Sequence, residues 1–452
     1  MKNVRQLTAG LCAAAGLFLF CSAAQADELT ANYDEYLLNG DAVLNGGVLN
    51  GAWQTSFASS VLSGLGVMDR ARPDYSAKGL PLGGFRLYPV LGVSGGYDTN
   101  VYFSSKASSD EFVVVSPAFD FQSQWGRDSL SFYGGAQSTF YDKNTSQNFT
   151  NWDVGTSGRV DILGDSDVRA NVFYDGLSQP LSSPNTPGNA AKPTTFDLLH
   201  ADVAFDNKPN RLGLTVGASY DNYNYQNTPL VGGGEEDNTP ANESIVTGYG
   251  RVSYDFSPGY SAFVGGSYSS RNFQDTYDPF GYDRDSSGYQ AIAGTQFFIS
   301  HLVQGQIFGG YGSQIFDTGS HLKLPNVSYL DYGANINWYV TPLMTLHLDA
   351  SRSIDDTVLQ GTSATNDQAI YGGVDYELAR NVLVQLQAGY LNQKFVGVAR
   401  TDQVPTASLG ITWLINHNFS LNARYSYDER SSTVPGINYN QNVVMVGLKA
   451  QL

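Results

Sequence analysis

Apolar and polar residues alternate along most of the chain. Between residues 212 and 220, Leu212, Leu214, Val216 and Tyr220 share one face, while glycine, threonine and serine occupy the other. The same alternation recurs in residues 382–390 and 407–413. A period of two predicts β-strands rather than helices. Dividing the chain in this way from residue 85 onward gives about 18 strands (16–18), and single-chain bacterial outer-membrane barrels have an even number.

The connections between these strands alternate between short and long. Short connections fall at residues 126–128, 163–167, 207–210, 257–259, 340–342 and 379–381, and long ones at 178–195, 226–243, 272–287, 317–327 and 355–367. Short periplasmic turns and long extracellular loops are typical of a transmembrane barrel. We therefore predict an all-β, closed antiparallel transmembrane β-barrel. A secreted β-sandwich would not require connections that alternate between short and long, and a solenoid would need a fixed-length repeat that the sequence lacks.

Composition agrees with this fold. Only 15% of the residues are charged, and the chain contains 49 Gly and 29 Tyr, whereas soluble domains carry about 25% charged residues. The net charge of -17 argues against a nucleic-acid surface, which needs basic clusters. Aromatic residues near the predicted strand ends suit the girdles at a membrane interface: Tyr97, Tyr133, Trp152, Tyr174, Tyr220, Tyr254, Tyr268, Trp338, Tyr390, Trp413 and Tyr425.

The first 26 residues have the pattern of a cleaved signal peptide. Lys2 and Arg5 precede an apolar run over residues 7–20, and Ala24 and Ala26 supply the small residues of a cleavage site. Both cysteines of the chain, at positions 12 and 21, lie in this segment, so we expect no disulfide and no cysteine metal site in the mature protein. No other metal-ligand spacing or phosphate loop stands out, and no metal or cofactor is expected. Residues 27–84 are predicted to form a periplasmic N-terminal extension with a short helix near Trp53, a plug inside the pore being the alternative. Residues 85–452 are predicted to form the barrel.

Three motifs at the start of the barrel resemble a known family. They are Arg72-Pro73-Asp74-Tyr75, the stretch from Gly83 to Pro89, and the stretch from Gly96 to Tyr102. The region resembles the entry to the first strand in the outer-membrane β-barrel porin family called beta-barrel porin type 2. The resemblance implies a porin-like barrel in the outer membrane. Some similar barrels are associated with exopolysaccharide production, which keeps glycan export as an alternative.

Catalytic signals are weak. Ser94 lies in a G-x-S-x-G sequence, but a nucleophile elbow needs that serine at a strand-to-helix turn, and this one falls within a predicted strand. His200 and His347 are predicted to point inward, each with an aspartate two residues further along the same face, Asp202 and Asp349. His301 and His417 fall in short turns and His321 in a long loop. A solvated ion pair explains the two inward histidines better than an active site does.

The same register predicts a set of charged residues on the inner face, with seven aspartates against six basic residues: Asp153, Arg159, Asp161, Arg169, Asp175, Asp202, Arg211, Arg251, Asp255, Asp331, Asp349, Arg424 and Lys449. Both signs occur, so a wet channel with opposed charges is one interpretation and a lumen filled by salt bridges is the other. Further acids fall in the long loops, at residues 235–237, 275–285 and 355–356. They are expected to attract cations to the outer mouth.

The sequence thus predicts a monomeric or trimeric outer-membrane porin for passive diffusion of small hydrophilic solutes such as sugars, with no enzymatic activity. The alternative is an exopolysaccharide-associated export or structural barrel, and an outer-membrane hydrolase is the third hypothesis. Expected partners are outer-membrane lipid and lipopolysaccharide, the barrel-assembly machinery, small solutes and, in the export alternative, exopolysaccharide. No nucleic acid is expected.

Overall fold

The protein is built almost entirely from β-strands. The computed structural model describes residues 66–162, 164–300, 302–317 and 322–452. Eighteen long strands run through them: Phe85–Asp98 (β1), Asp110–Ser123 (β2), Ser129–Tyr141 (β3), Phe149–Asp161 (β4), Ser166–Gln179 (β5), Thr194–Asn207 (β6), Leu212–Tyr225 (β7), Glu243–Ser257 (β8), Tyr260–Phe273 (β9), Ser286–Ile299 (β10), Val303–Phe316 (β11), Val327–Thr341 (β12), Met344–Asp356 (β13), Ala364–Ala379 (β14), Val382–Val396 (β15), Thr401–Leu414 (β16), Phe419–Ser432 (β17) and Tyr439–Gln451 (β18).

Every long strand pairs with its sequence neighbours in antiparallel fashion, and the sheet closes on itself. Strand β1 pairs with β2 on one side and with β18 on the other, where Val90 faces Gln451 and Asp98 faces Val443. Closure removes both edges of the sheet, so every strand finds hydrogen-bond partners on both sides. The predicted fold, a closed antiparallel barrel of 18 strands, is confirmed.

Smaller elements accompany the barrel. A short strand, Leu80–Leu82, pairs with the start of β1. Inside the loop between β7 and β8, the two-residue strands Thr228–Pro229 and Glu235–Glu236 pair with each other. The 3-10 helices are Thr145–Gln147 and Thr239–Ala241. In the described part of the chain, no helix has the length and apolar character needed to cross a membrane. The helix expected near Trp53 lies outside the described residues.

The barrel wall has an exposed apolar face and a buried polar face. On β4, Val154 and Val160 are 48% and 55% exposed, whereas the alternate residue Ser157 is 8% exposed. On β15, Leu386 is exposed while its neighbour Gln385 is half-buried. Because hydrocarbon accepts apolar side chains at no cost, this arrangement fits a wall that faces lipid outside and polar groups inside.

The aromatic residues assigned to the interface girdles follow the same division, with one exception. All of them except Tyr133 are at least 38% exposed on the outer face. Tyr133 is 4% exposed and lies on the inner face of β3, in an apolar cluster with Phe173 and Phe196. Its assignment to a girdle is wrong, because its position on β3 has the parity of the inner face.

Tyrosine rings cover glycines of the neighbouring strand on the inner wall. In each case the tyrosine and the glycine face each other directly across the pair of strands, and a Cβ on the glycine would overlap the ring. The pairs are Tyr133 with Gly155, Tyr249 with Gly217, Tyr329 with Gly312 and Tyr371 with Gly389. Covering a strand glycine with a cross-strand ring restores the packing that the missing side chain would supply.

The turns at one end of the barrel are tight. Residues 258–259, 342–343 and 380–381 are the complete connections between their strands. Gly259 has a φ of +78°, and a Cβ there would press on the Phe298 carbonyl, so only glycine fits this turn. Three bulges lie at this end, at Asp255/Ser257, Tyr339/Thr341 and Glu377/Ala379. The other end carries the longer loops, such as residues 180–193, 226–242 and 274–285.

Candidate functional site

The inner wall of the barrel holds almost all of the charged residues that the sequence assigned to it. Those with the parity of the inner face are Asp153, Arg159 and Asp161 on β4, Arg169 and Asp175 on β5, Asp202 on β6, Arg251 and Asp255 on β8, Asp331 on β12, Asp349 on β13, Arg424 on β17 and Lys449 on β18. Asp175, Arg251, Asp331, Asp349 and Lys449 are less than 9% exposed.

Arg211 is placed differently. It lies in the turn that precedes β7, and its side chain is exposed rather than lining the wall. The Asn210 side chain accepts a hydrogen bond from the Leu212 amide at 2.8 Å, which holds the turn and starts the strand only at Leu212. The register argument therefore placed Arg211 one residue too far into the strand.

Opposite charges on the wall form local pairs. The Arg159 guanidinium lies 2.7 Å from an Asp161 carboxylate oxygen and 3.1 Å from Asp167. Arg169 pairs with Asp206 and lies 3.6 Å from Asp167. This cluster joins three neighbouring strands, β4, β5 and β6, and lies near the end with short turns.

Other cations of the wall rest on aromatic rings and amides. The Arg251 guanidinium stands 3.6 Å from the centre of the Phe263 ring and donates to the Gln306 side chain at 3.2 Å. A cation over an aromatic face is stabilised by the ring quadrupole. Arg251 on β8 thereby contacts β9 and reaches over β10 to β11, so that it links three strands from the inside.

The two inward histidines have partners other than those predicted from the sequence. The Nδ1 atom of His200 lies 2.5 Å from Asp221 on β7, and both side chains are buried. The Nδ1 atom of His347 lies 3.8 Å from Asp375 on β14. Asp202 instead accepts a hydrogen bond from the Tyr249 hydroxyl at 2.9 Å. His200 and Asp221 are directly opposed across β6 and β7, and His347 and Asp375 are diagonal neighbours across β13 and β14, so both pairs form between strands rather than along one strand.

The remaining candidates for catalysis are not brought together. Ser94 lies in the middle of β1, opposite Val114 and Gly447, and not at a strand-to-helix turn. His417 lies in the short turn 415–418. His301 and His321 lie outside the described residues. Among the residues described, no group of three or more histidine, cysteine, aspartate or glutamate side chains is arranged to hold a metal ion.

The inner wall also carries acids that the sequence analysis did not assign to it. They share the inward parity and exposures below 9%: Asp98, Asp110, Asp120, Asp221, Asp355, Asp367, Asp375 and Asp402. The bases missed in the same way are fewer, Arg271 and Arg430. Continuing the alternation to the ends of each strand would have found them, since most lie near a strand end. The near balance of seven acids and six bases is therefore wrong, and the inner wall is acidic.

The chain just before the barrel enters the mouth with the short turns. Val67 is fully buried against Leu383 and Leu414 on the inner face, and its amide donates to Thr345 Oγ1 at 3.0 Å. We call residues 66–76 the N-terminal segment. Val67 of this segment therefore lies inside the mouth.

A buried ion pair holds the N-terminal segment. Arg72 is 6% exposed and lies 2.9 Å from Glu377 of β14, and it also donates to the Val67 carbonyl at 2.7 Å. Arg70 reaches the same carboxylate at 3.2 Å. Burial inside the mouth, together with the nearby charge of Asp375, raises the pKa of Asp69.

At the opposite mouth three long loops contact one another. The Thr357 hydroxyl donates to the Asn185 side chain at 2.7 Å, joining the β13–β14 loop to the β5–β6 loop across the barrel. Arg284 of the β9–β10 loop pairs with Asp278 at 2.8 Å and donates to the carbonyls of Thr357 and Thr362. Burial lowers the pKa of Arg284, an effect that Asp278 opposes. These loops span part of the mouth.

A cavity of about 950 Å³, partly open to solvent, lies in the barrel at this same end. It is formed by the inner faces of β1 to β4 and of β17 and β18, together with residues that follow β1, β3 and β5. The lining residues are Asp98, Val101, Phe103, Phe112, Thr139, Tyr141, Gln147, Phe149, Asn151, Ser178, Pro180, Leu181, Pro193, Asp428, Gln441, Val443 and Met445. Aromatic and aliphatic side chains alternate there with polar ones, as in small-molecule sites.

Comparison with solved structures finds other barrels. OccK1 (OpdK) of Pseudomonas aeruginosa aligns with 11% identity over 81% of this chain and 99% of its own, with a TM-score of 0.43. OccAB4 of Acinetobacter baumannii aligns with 8% identity over 81% and 98%, with a TM-score of 0.43. The siderophore receptor PiuA of Acinetobacter baumannii aligns with 10% identity over 86% and 85%, with a TM-score of 0.44.

Among curated proteins, none matches the sequence. A family model does match, over residues 72–452, which include the whole barrel and the Arg72-Pro73-Asp74-Tyr75 motif. The family resemblance and the outer-membrane location expected from the sequence are confirmed. The chain belongs to the family described as Putative beta-barrel porin 2, and it is a protein of the outer membrane.

Proposed function

We propose that this barrel is a channel without enzymatic activity, through which small hydrophilic solutes diffuse passively across the outer membrane. The observation that carries the proposal is the polar, charged inner wall enclosed by an apolar outer face. Eighteen strands are enough to enclose an aqueous path. Each inward histidine already has an aspartate beside it, which supports a structural role for both histidines.

We further propose that the channel prefers cations, and more strongly than the sequence suggested. Charges within about a Debye length of a passing ion, about 8 Å at physiological salt, act on it most strongly. The inner wall carries an excess of acids, so this preference should arise inside the barrel as well as at the acidic loops. Asp153 and Asp202 are only half-buried at mid-strand positions of the wall, so they are the wall acids chosen for the test.

The test is the reversal potential of the purified protein in planar bilayers under a salt gradient. The wild-type protein should prefer cations. The double change Asp153→Asn and Asp202→Asn should weaken that preference at all salt concentrations. Neutralising Glu235, Glu236 and Asp237, which lie in an exposed loop, should weaken it only at low salt, where screening is weak. Anion preference would contradict the proposed wall, and absence of conductance in folded protein would contradict the channel.

One set of contacts favours a second candidate, an exopolysaccharide-associated export or structural barrel. The Asn185–Thr357 contact spans the mouth with long loops, and Val67 is buried inside the other mouth. A barrel with both mouths covered would conduct poorly until a partner displaced these segments. Folded protein that conducts only after residues 66–76 are deleted would support this second candidate.

A further inference from the structure

The cavity at the long-loop end contains polar atoms for which the chain supplies no partner. Thr139 is 2% exposed, and its Oγ1 atom makes no hydrogen bond with any described residue. The same holds for the Oδ1 atom of Asn151, in a side chain that is half-buried. An unsatisfied buried polar atom destabilises a protein, so such atoms are rare unless something else binds to them.

These two atoms belong to one surface. Thr139 faces Phe149 and Gln137 faces Asn151 in the pairing of β3 with β4. Thr139 and Asn151 are thus diagonal neighbours on the inner face, about 7–8 Å apart. Both side chains line the cavity, so a single small molecule can contact both of them. Asn151 Oδ1 can only accept a hydrogen bond, and a threonine hydroxyl can donate or accept, so the pair suits a ligand that carries hydroxyl groups.

The charges of the cavity exclude an anionic ligand. Asp98 and Asp428 line it, and the described lining contains no lysine or arginine. Both carboxylates are already engaged. Asp98 accepts hydrogen bonds from the Asn100 amide at 2.7 Å and from Gln441 at 2.9 Å, and Asp428 accepts one from the Tyr439 hydroxyl at 2.9 Å. They repel negative charge but leave little capacity for direct pairing with a cation.

Most of the remaining wall is apolar. Phe112 is 7% exposed and packs with Met445, and Phe149 stands beside Asn151 on β4. Leu181 and two prolines approach from the β5–β6 loop. A ligand here must offer one apolar face to these side chains and hydroxyl groups to Thr139 and Asn151.

We infer that this cavity binds uncharged pyranose sugars. A pyranose combines an apolar ring face with a rim of hydroxyl groups and carries no charge. The inference rests on the proposed channel function, because it assigns the cavity as the site where that channel selects its solute.

The test is calorimetric titration of the folded protein in detergent with methyl glucoside, methyl galactoside and methyl mannoside. At least one of the three should bind saturably. Gluconate, an anion, should not bind, and glucosamine, a cation, should bind no more tightly than the neutral sugars. No binding of any methyl pyranoside, or binding of gluconate or of glucosamine alone, would overturn the inference.

Variants locate the site. Thr139→Val keeps the shape of the side chain and removes the hydroxyl, and Asn151→Leu removes the acceptor. Each should weaken binding about 2- to 12-fold, as expected for one hydrogen bond. The matched control is Thr150→Val on the exposed face of β4, where the hydroxyl pairs with Ser138 at 2.9 Å. It should bind as the wild type does. If Asn151→Leu does not fold, Thr139→Val alone decides, and unchanged affinity overturns the site.

The conductance of the same purified protein in planar bilayers tests the channel function independently of sugar binding. Conductance without sugar binding would overturn the binding site and leave the channel intact. Sugar binding that depends on Thr139, in a protein that does not conduct, would overturn the channel and leave the binding site. With both functions present, the bound sugar should reduce the ion current saturably in the wild-type protein and less in Thr139→Val.

Discussion

Glu377 is expected to determine whether the N-terminal segment stays inside the barrel. In Glu377→Gln the side chain keeps its size and loses its charge, so Arg72, 6% exposed, remains buried without a counter-charge. Removing one partner of a buried ion pair costs about 3–5 kcal/mol. Arg70 lies on the same carboxylate, but its side chain is 31% exposed, so its contribution is small. We therefore expect about 3 kcal/mol, at the low end of the range.

At about 1.4 kcal/mol per factor of ten, this loss corresponds to an increase of about a hundredfold in the population of the undocked segment. Amide hydrogen exchange of peptides covering residues 66–76 measures that population. The Val67 amide, which donates to Thr345, and the Tyr75 and Ser76 amides, which donate to the Arg72 carbonyl, should exchange faster. Peptides from the barrel strands should not change.

The matched control is Arg380→Ala. Arg380 lies 4.0 Å from Asp74 of the same segment, but the two side chains are 71% and 77% exposed. An exposed pair contributes little, so exchange should be unchanged. Wild-type exchange in Glu377→Gln, or equal acceleration in the two variants, would refute the argument that burial of the Arg72–Glu377 pair holds the segment.

Three further predictions follow from the same structure. The docked state of the N-terminal segment should become more stable as pH falls, because burial raises the pKa of Asp69 in that state. The docked state therefore binds a proton more readily than the undocked state. Its stability falls as pH rises from about 3.9, the ordinary pKa of an aspartate, through the raised pKa of Asp69. Asp69→Asn should remove this dependence in hydrogen exchange, and an unchanged pH profile would contradict it. Leu386→Arg, on the exposed face of β15, should cost about 2–4 kcal/mol in refolding into bilayers, whereas Gln385→Arg, beside Asp375 on the inner wall, should assemble nearly normally; the reverse order would invert the register. The unboiled protein should migrate differently from the boiled protein on a denaturing gel, because a closed sheet resists unzipping, and identical migration would argue against closure.

Thr215 shows that a position on the inner face is not always open enough to accept a larger side chain. Thr215 has the parity of the inner wall but is 8% exposed and donates to Asp206 at 2.6 Å. Its replacement by arginine would therefore be costly, although the residue lies on the polar inner face. The alternation assigns a residue to the inner face, but it does not reveal how much room that face has at that point.

Strand number, closure and the two faces of the wall could be predicted because they depend on a local pattern that hydrocarbon imposes on every strand. The partners of His200 and His347 could not, since the offset between neighbouring strands decides which side chains face each other, and a period of two does not contain that offset. The contact of Arg72 with Glu377 was equally out of reach, because residues about 300 apart in sequence meet only after the barrel has closed.

The tyrosine–glycine pairs suggest how that offset is fixed while the barrel forms. Each ring fits only if the residue directly opposite lacks a side chain, and Tyr133, Tyr249, Tyr329 and Tyr371 each face a glycine in the final pairing. Sliding β14 past β15 by two residues would keep every side chain on its proper face, yet it would set the Tyr371 ring against Gln387 or Leu391. Such a slip leaves the polar and apolar faces unchanged, so these faces do not disfavour it. The overlap between the tyrosine ring and the side chain now opposite it does. The four pairs lie at different positions around the barrel, and each one favours the correct register between its two strands during assembly.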